Sequence, residues 1–576
     1  MLELQDVCFA IEKEGEEVNL VDHVSLRIPR GHFMAIVGPS GCGKTTLLKT
    51  IAGMNAESGG QLLWNGKNLS ENDFEPSELG YVPQFSIAYD PLTVDESIEA
   101  ATRLRCKTRN AEDLDARIDK ALEETGLTAI AERPVKVLSG GQKRRLGLAM
   151  EMVSDPKLLL CDEVTSGLDP RSERDIVKLL HTLSRKEGRI VLSVTHSLAH
   201  LELYDSILVL HEGKVAFHGP PDMLTHYFSV KDTEEIYPRL STQPSERWQT
   251  SWLKHRAAYE EKINILRTRL MKEGELQVPE IKEGEEEKDV RTPSAISQFM
   301  TLLSRRWRIF FRDRGQVFLQ LAIMLCFPVL VALFSDKANQ PIRSLSDIKQ
   351  SNMEIEMKEQ QSVRQDTMKA GSAISGIIMF QVVLLGLMGS NNSAREIAGE
   401  RQIYEKEKFG GLSPTAYLAS KVAFLTCLVV AQSLWMAVFV NLPFFSPFDG
   451  EFGQHALFLL FCNASMTAVC LGISAMMKTA EQASLLSIYL VGFQLPLSGA
   501  VLALPEKIEW ITRPFISAYW SWSGSIEALA TSRNQAVEMV ISTTLSNQET
   551  CIYLLSLHVA VGLLIAWIGA KRHQWD

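Results

Sequence analysis

The spacing of apolar residues divides the chain near residue 300. Before that point short apolar runs alternate with charged stretches, and Phe33–Val37, Leu158–Cys161 and Val191–Thr195 each have the length of a strand buried on both faces. Thr45–Ala52 follows the first of them and reads as a helix. Beyond 315 six long runs appear, Val317–Phe334, Ala373–Gly389, Val422–Val440, Ala456–Met477, Ala483–Leu504 and Ile552–Ala570. About 20 apolar residues span a bilayer as a helix. A soluble core could bury one such run, but six in one half predict an all-α transmembrane domain over 301–576. Between 231 and 300 apolar residues thin out and charge collects, most densely in Glu280–Lys288, which predicts a solvated linker with some helix. At its end, Ile296–Arg312 regains helical apolar spacing beside Arg305, Arg306, Arg308 and Arg312, the pattern of an amphipathic helix lying on the inner bilayer face.

The chain has 576 residues, too many for one core, and a formal charge of −10 without a basic tract, which argues against a nucleic-acid partner. Nine cysteines are scattered with no CxxC pair and no histidine at zinc spacing, so they read as small buried or intramembrane side chains. Cys42 alone invites a redox reading, through its place in a phosphate-type loop. Met1–Asp6 lacks the basic start and apolar core of a signal peptide, so the N-terminal half is expected to stay in the compartment that holds ATP.

That loop is Gly38-Pro-Ser-Gly-Cys-Gly-Lys-Thr45, a complete GxxxxGK[ST] pattern between a strand and a helix. Its glycines, Gly38, Gly41 and Gly43, let the backbone N–H groups of the loop, with Pro39, Ser40, Cys42 and Thr46 beside them, curve around phosphate at a helix N-terminus. Lys44 brings a point charge to the β/γ-phosphates, and the Thr45 hydroxyl is a ligand for Mg²⁺. The run Leu158–Cys161 ends in Asp162-Glu163. Two carboxylates delivered by one strand suit phosphoryl chemistry, Asp162 holding hydrated Mg²⁺ and Glu163 polarising the attacking water. Val191–Thr195 ends at His196, which is either structural or, from a neighbouring parallel strand, within reach of the γ-phosphate. Ser139 and Gly141 precede the helical stretch Lys143–Met152 and offer a second anion-binding terminus.

Over about 1–230 these residues resemble the ATP-binding cassette (ABC) family. The resemblance implies an α/β P-loop ATPase cassette with ATP and Mg²⁺ as cofactors. It makes Gln84 the Q-loop glutamine that joins the metal and water site to the membrane domain, Leu138-Ser139-Gly140-Gly141-Gln142 the signature, Asp169 the D-loop aspartate and His196 the switch histidine. It also implies that the signature faces ATP held by a second subunit, and the intact set Lys44, Ser139, Gly141, Glu163 and His196 favours a homodimer. Where many members of the family stack an aromatic residue on adenine, this chain has Ile11 or a residue near it.

The cassette precedes the membrane domain. That order, the Arg395-Glu396…Glu400-Arg401…Glu405-Lys406-Glu407 loop and the long segment 505–551 resemble the G-subfamily half-transporters of white and pleiotropic-drug-resistance type, whose membrane domain is of the type-2 exporter kind. The segment 335–372 is longer than expected for a first outer loop, and 505–551 lacks internal cysteines. The resemblance implies an ATP-driven exporter of a lipophilic or amphipathic substrate, multi-pass in the plasma membrane, with cassette and both termini cytosolic. Arg395, Arg401, Lys406 and Lys408, and Lys571-Arg572 at the tail, fit that orientation. An exporter of lipid or polysaccharide, and a transmitter acting on an envelope partner without moving solute, are the rival readings. Residues 390–416 are the expected mechanical junction, as a charged helix that extends the second span. Gln320, Gln381, Asn463 and Gln494 are polar positions within spans, which more often satisfy neighbouring helices than mark a ligand.

Overall fold

The structure is a computed structural model and describes residues 1–13, 15–85, 87–276, 292–336, 353–444, 452–500 and 505–572. It divides into two units, the first built from Met1–Thr301 with Lys406–Leu412, the second from Leu302–Glu405 with Ser413–Gln574.

In the first unit the three apolar runs become strands Phe33–Val37, Leu158–Asp162 and Ile190–Val194, buried at every position because helices cover both faces of a parallel sheet. The six-stranded sheet runs in the order Lys214–Gly219, Ser206–His211, Phe33–Val37, Ile190–Val194, Leu158–Asp162, Leu79–Val82. Only the edge pair Lys214–Gly219 with Ser206–His211 is antiparallel. This order sets the ends of Phe33–Val37, Ile190–Val194 and Leu158–Asp162 side by side, and each carries one of the motifs. A second, antiparallel sheet contains Glu16–Ile28, Leu2–Lys13, Gly59–Trp64 and Lys67–Asn68 in that order.

The described part of the linker expected over 231–300 is mostly helical. Helix Ser245–Lys272 buries Trp248 and Trp252 in the cassette cores, and their indole N–H groups donate to the carbonyls of Leu240 at 3.1 Å and His218 at 3.4 Å. The first unit therefore continues past 230. The charge run Glu280–Lys288 lies outside the described residues. Within the same unit Glu151 is fully buried between the Arg105 guanidinium at 2.6 Å and Lys406 Nζ at 3.0 Å. Burial alone would push its carboxyl up, but the two cations outweigh that and hold it below the usual glutamate range.

Among the described residues of the second unit, five helical stretches are long and apolar enough to cross a membrane, where six spans were expected. The difference lies in Ala483–Leu504. Its helix covers Ala480–Gln494 and gives way to a 3-10 turn at Pro496–Ser498, since proline cannot donate to the helix ladder; 501–504 lie outside the described residues. Helices Phe452–Met476 and Gln548–Lys571 pack through small residues. A Cβ on Gly562 would fall on the Ala468 carbonyl group. The helix expected to extend the second span is broken: Met353–Ser393 ends, and after a 3-10 turn at Ala398–Glu400 a separate helix runs Arg401–Phe409. Arg401 Nη2 donates to the carbonyls of Ser474, Ala475 and Met477 at 3.1, 2.7 and 3.0 Å, closing the C-terminus of Phe452–Met476. Glu396 takes the Arg306 guanidinium in two bonds, 2.6 and 2.9 Å, and Lys421 Nζ at 3.1 Å.

Candidate nucleotide site

Strand Phe33–Val37 delivers the loop Gly38–Gly43, and helix Lys44–Ile51 leaves it with Gly43 as its N-cap at φ 98°. A Cβ at Gly43 would run into the Leu20 carbonyl, so only glycine permits the turn. The cradle is thus shaped for an anion at a helix start, and the Lys44 ammonium, 4% exposed, is inside it, donating to the carbonyls of Gly38 at 3.0 Å and Pro39 at 2.9 Å. Cys42 is buried, and burial pushes its thiol up, away from thiolate character, so it packs.

Thr45 Oγ1 donates to Asp162 Oδ1 at 2.9 Å, and Tyr81 Oη donates to the other Asp162 oxygen at 3.3 Å. Burial raises the Asp162 carboxyl, and the Glu163 charge adds to this against the Thr45 and Tyr81 bonds. Two hard oxygens side by side, one a carboxylate needing positive charge, fit Mg²⁺. Glu163 stands next in the chain at φ 48°, its N–H donating to the Val194 carbonyl at 3.1 Å. This left-handed turn swings its carboxylate toward His196, whose Nε2 lies 2.5 Å from Oε1. Gln84 Nε2 donates to Oε2 at 2.7 Å. Gln84, expected on the metal, is bonded instead to the Glu163 carboxylate.

The signature forms a separate group. Ser139 caps helix Gly140–Met152 in a capping box, its Oγ accepting from Gln142 N–H at 3.3 Å while Gln142 Oε1 accepts from Ser139 N–H at 3.0 Å. Gly140 and Gly141 pass against Leu168 and Ser172. Asp169 caps the next helix, Pro170–Arg185, accepting from Arg171 and Ser172 N–H, and the Ser172 hydroxyl first, with those backbone bonds, holds its carboxyl below the usual aspartate range. Ile11 sits on strand Leu2–Lys13 opposite Val18, partly exposed.

Tyr237 was missed. Its hydroxyl donates to the His196 carbonyl at 3.3 Å and meets the Gly38 N–H, while burial pushes its pKa up to about 12. The short helix Ile236–Leu240 holds it there, in a stretch whose charged surroundings hid it.

Of the polar residues in the spans, Gln320, Asn463, Asn392 and Gln432 share one hydrogen-bond network of 2.8 to 3.2 Å. Gln494 accepts from Ala518 N–H and Ser517 Oγ. Gln381 is fully buried and makes no hydrogen bond through its amide among the described residues. Gln381 apart, the amides thus serve helix contacts.

Residues 21–166 match the family described as ABC transporter, and residues 297–520 the family described as ABC-2 type transporter. The chain is 29% identical over 540 residues to the ABC transporter ATP-binding/permease protein Rv1747 of Mycobacterium tuberculosis, covering 91% of this chain and 57% of that one. It is 34% identical over 242 residues to the iron(3+)-hydroxamate import ATP-binding protein FhuC of Bacillus subtilis, covering 40% of this chain and 89% of that one. It is also similar to a dimeric post-hydrolysis structure of the ATP-binding cassette MJ0796 bound to ADP and Pi, at 26% identity and TM-score 0.35, over 38% of this chain and 99% of that one. The chain thus spans little more than half the length of the mycobacterial relative.

Proposed function

Because the chain belongs to the ABC transporter family, with an ATPase cassette followed by an ABC-2 type membrane domain, we propose that it is an ATP-driven exporter of G-subfamily type, working as a homodimer in the plasma membrane with its cassettes cytosolic. The observation that carries this reading is the position of Glu163, held between Gln84 and His196 immediately after the Asp162 that bonds Thr45.

Thr45 and Asp162 would hold Mg²⁺, which neutralises charge building on the phosphates. Lys44 exchanges the Gly38 and Pro39 carbonyls for phosphate oxygens, already inside the loop and already stripped of water. Glu163 orients the attacking water and takes its proton. His196, on the same carboxylate, fixes where that proton acceptor points, and Gln84 ties it to the segment after strand Leu79–Val82. The Ser139 end of helix Gly140–Met152 serves a nucleotide on a second copy.

The cargo is a lipophilic or amphipathic solute. Gln320, Asn392, Gln432 and Asn463 satisfy one another, so these four amides are already occupied and do not call for a polar cargo. The test is the full chain reconstituted in vesicles with an amphipathic fluorescent probe. ATP-dependent movement of the probe that disappears in Glu163→Gln, from particles holding two copies of this chain, is the expected result. Hydrolysis without movement would overturn export, and a particle needing a different cassette-bearing chain would overturn the homodimer.

A further inference from the structure

We propose that Cys8, Asp22 and His23, on the antiparallel sheet of the first unit, bind a divalent transition-metal ion of the zinc type. The chain places these residues fourteen and fifteen positions apart, so no sequence spacing suggests them. The pairing of Leu2–Lys13 with Glu16–Ile28 brings their ligand atoms within 4.8 Å of one another. Tetrahedral zinc, with bonds of about 2.0–2.3 Å, needs its ligands roughly 3.3–3.8 Å apart, so shifts of about 1 Å close the site.

The surroundings of the histidine supply a second, independent reason. His23 Nδ1 lies 2.8 Å from Asp6 Oδ1, and Nε2 lies 3.7 Å from Asp22 Oδ1. A carboxylate that fixes one imidazole nitrogen and leaves the other facing a ligand cluster is the arrangement found behind metal-bound histidines. Cys8 Sγ accepts the His23 backbone N–H at 3.3 Å, a donor suited to a metal-bound sulfur. Asp6 and His23 both adopt left-handed backbone, φ 55° and 51°, at the bulges that interrupt strand register, which turns both side chains to one place.

The donor set decides the ion. One sulfur and one imidazole favour zinc or a similar borderline metal over Mg²⁺ or Ca²⁺, which take oxygen. Asp22 supplies the third ligand through Oδ1, its Oδ2 being 3.5 Å from Lys214 Nζ, and water completes the four. The site is not the nucleotide site, yet it adjoins it: Asp22 N–H donates to Gly213 O at 2.9 Å, and Gly213 N–H donates to Cys42 O of the phosphate loop at 3.0 Å.

The test is calorimetric titration of the chelator-treated full chain in detergent with Zn²⁺ alone, with no nucleotide present. One ion per chain is expected, with affinity weakened at least tenfold by Cys8→Ser and by His23→Asn, asparagine being chosen because it tolerates left-handed backbone. Asp6→Asn, which keeps all three ligands, is expected to weaken binding by about tenfold as well. Zn²⁺ should also protect Cys8, and not Cys326, from alkylation read peptide by peptide. No uptake, affinity unchanged from the native chain in the Cys8 or the Asp6 variant, or unprotected Cys8 would each overturn the site.

Discussion

Glu163 Oε1 lies 2.5 Å from His196 Nε2, although 33 residues separate them in the chain. Parallel pairing of Leu158–Asp162 with Ile190–Val194 makes them neighbours, because each residue stands just beyond the end of its strand. The two act as one unit. Glu163→Gln is expected to leave ATP binding within about twofold and lower steady-state hydrolysis by at least ~100-fold, the range for losing a general base. A residual rate above about a tenth of wild type would remove Glu163 from that role.

Tyr237 should matter less, and differently. It touches the His196 backbone and the first glycine of the phosphate loop, so Tyr237→Phe removes a brace and no reacting group. The expected change is a few-fold fall in kcat with KM for ATP nearly constant. Were KM to rise at unchanged kcat, the hydroxyl would belong to nucleotide binding.

Ser139 has two duties that substitution can separate. Ser139→Ala should lose about 1 kcal/mol of stability with the capping box, whereas Ser139→Asp keeps an N-cap acceptor. The aspartate also places negative charge where the facing nucleotide is proposed to sit. Thermal denaturation should therefore find Ser139→Asp near wild type and ATPase assays should find it nearly inactive; an active Ser139→Asp would argue against a composite site.

The cassette should be acid-sensitive through two buried rings. His32 and His218 both bond the Ser206 hydroxyl, at 2.7 and 3.2 Å, and burial lowers both, His218 to about 3. The unfolded chain takes up these protons below about pH 6.5 and the native rings resist, so stability is full above that value and falls as pH drops below it, for His218 down to about 3. The slope is up to about 1.4 kcal/mol per pH unit for each ring. Melting of the full chain between pH 7.5 and 5 should show it, and His218→Gln should flatten it.

What could be read in advance follows from where the geometry is local. Gly38–Thr45 and Asp162-Glu163 are contiguous, so their spacing already encodes the cradle and the paired carboxylates. Trp248 and Trp252 sit one helical turn apart among charges, and their burial depends on a sheet edge formed by residues 214–219. Cys8 and His23 meet only across two bulges. Ala483–Leu504 is apolar enough to span, but hydropathy ignores that Pro496 ends the ladder.

Helix ends normally fray, because the last carbonyls hydrate and the final turn loosens. With one Arg401 nitrogen gathering three carbonyls at Ser474–Met477, the end of Phe452–Met476 has no such slack. A side chain from a separate helix takes the place of the water that would otherwise solvate this terminus, so the last turn is tied to residue 401.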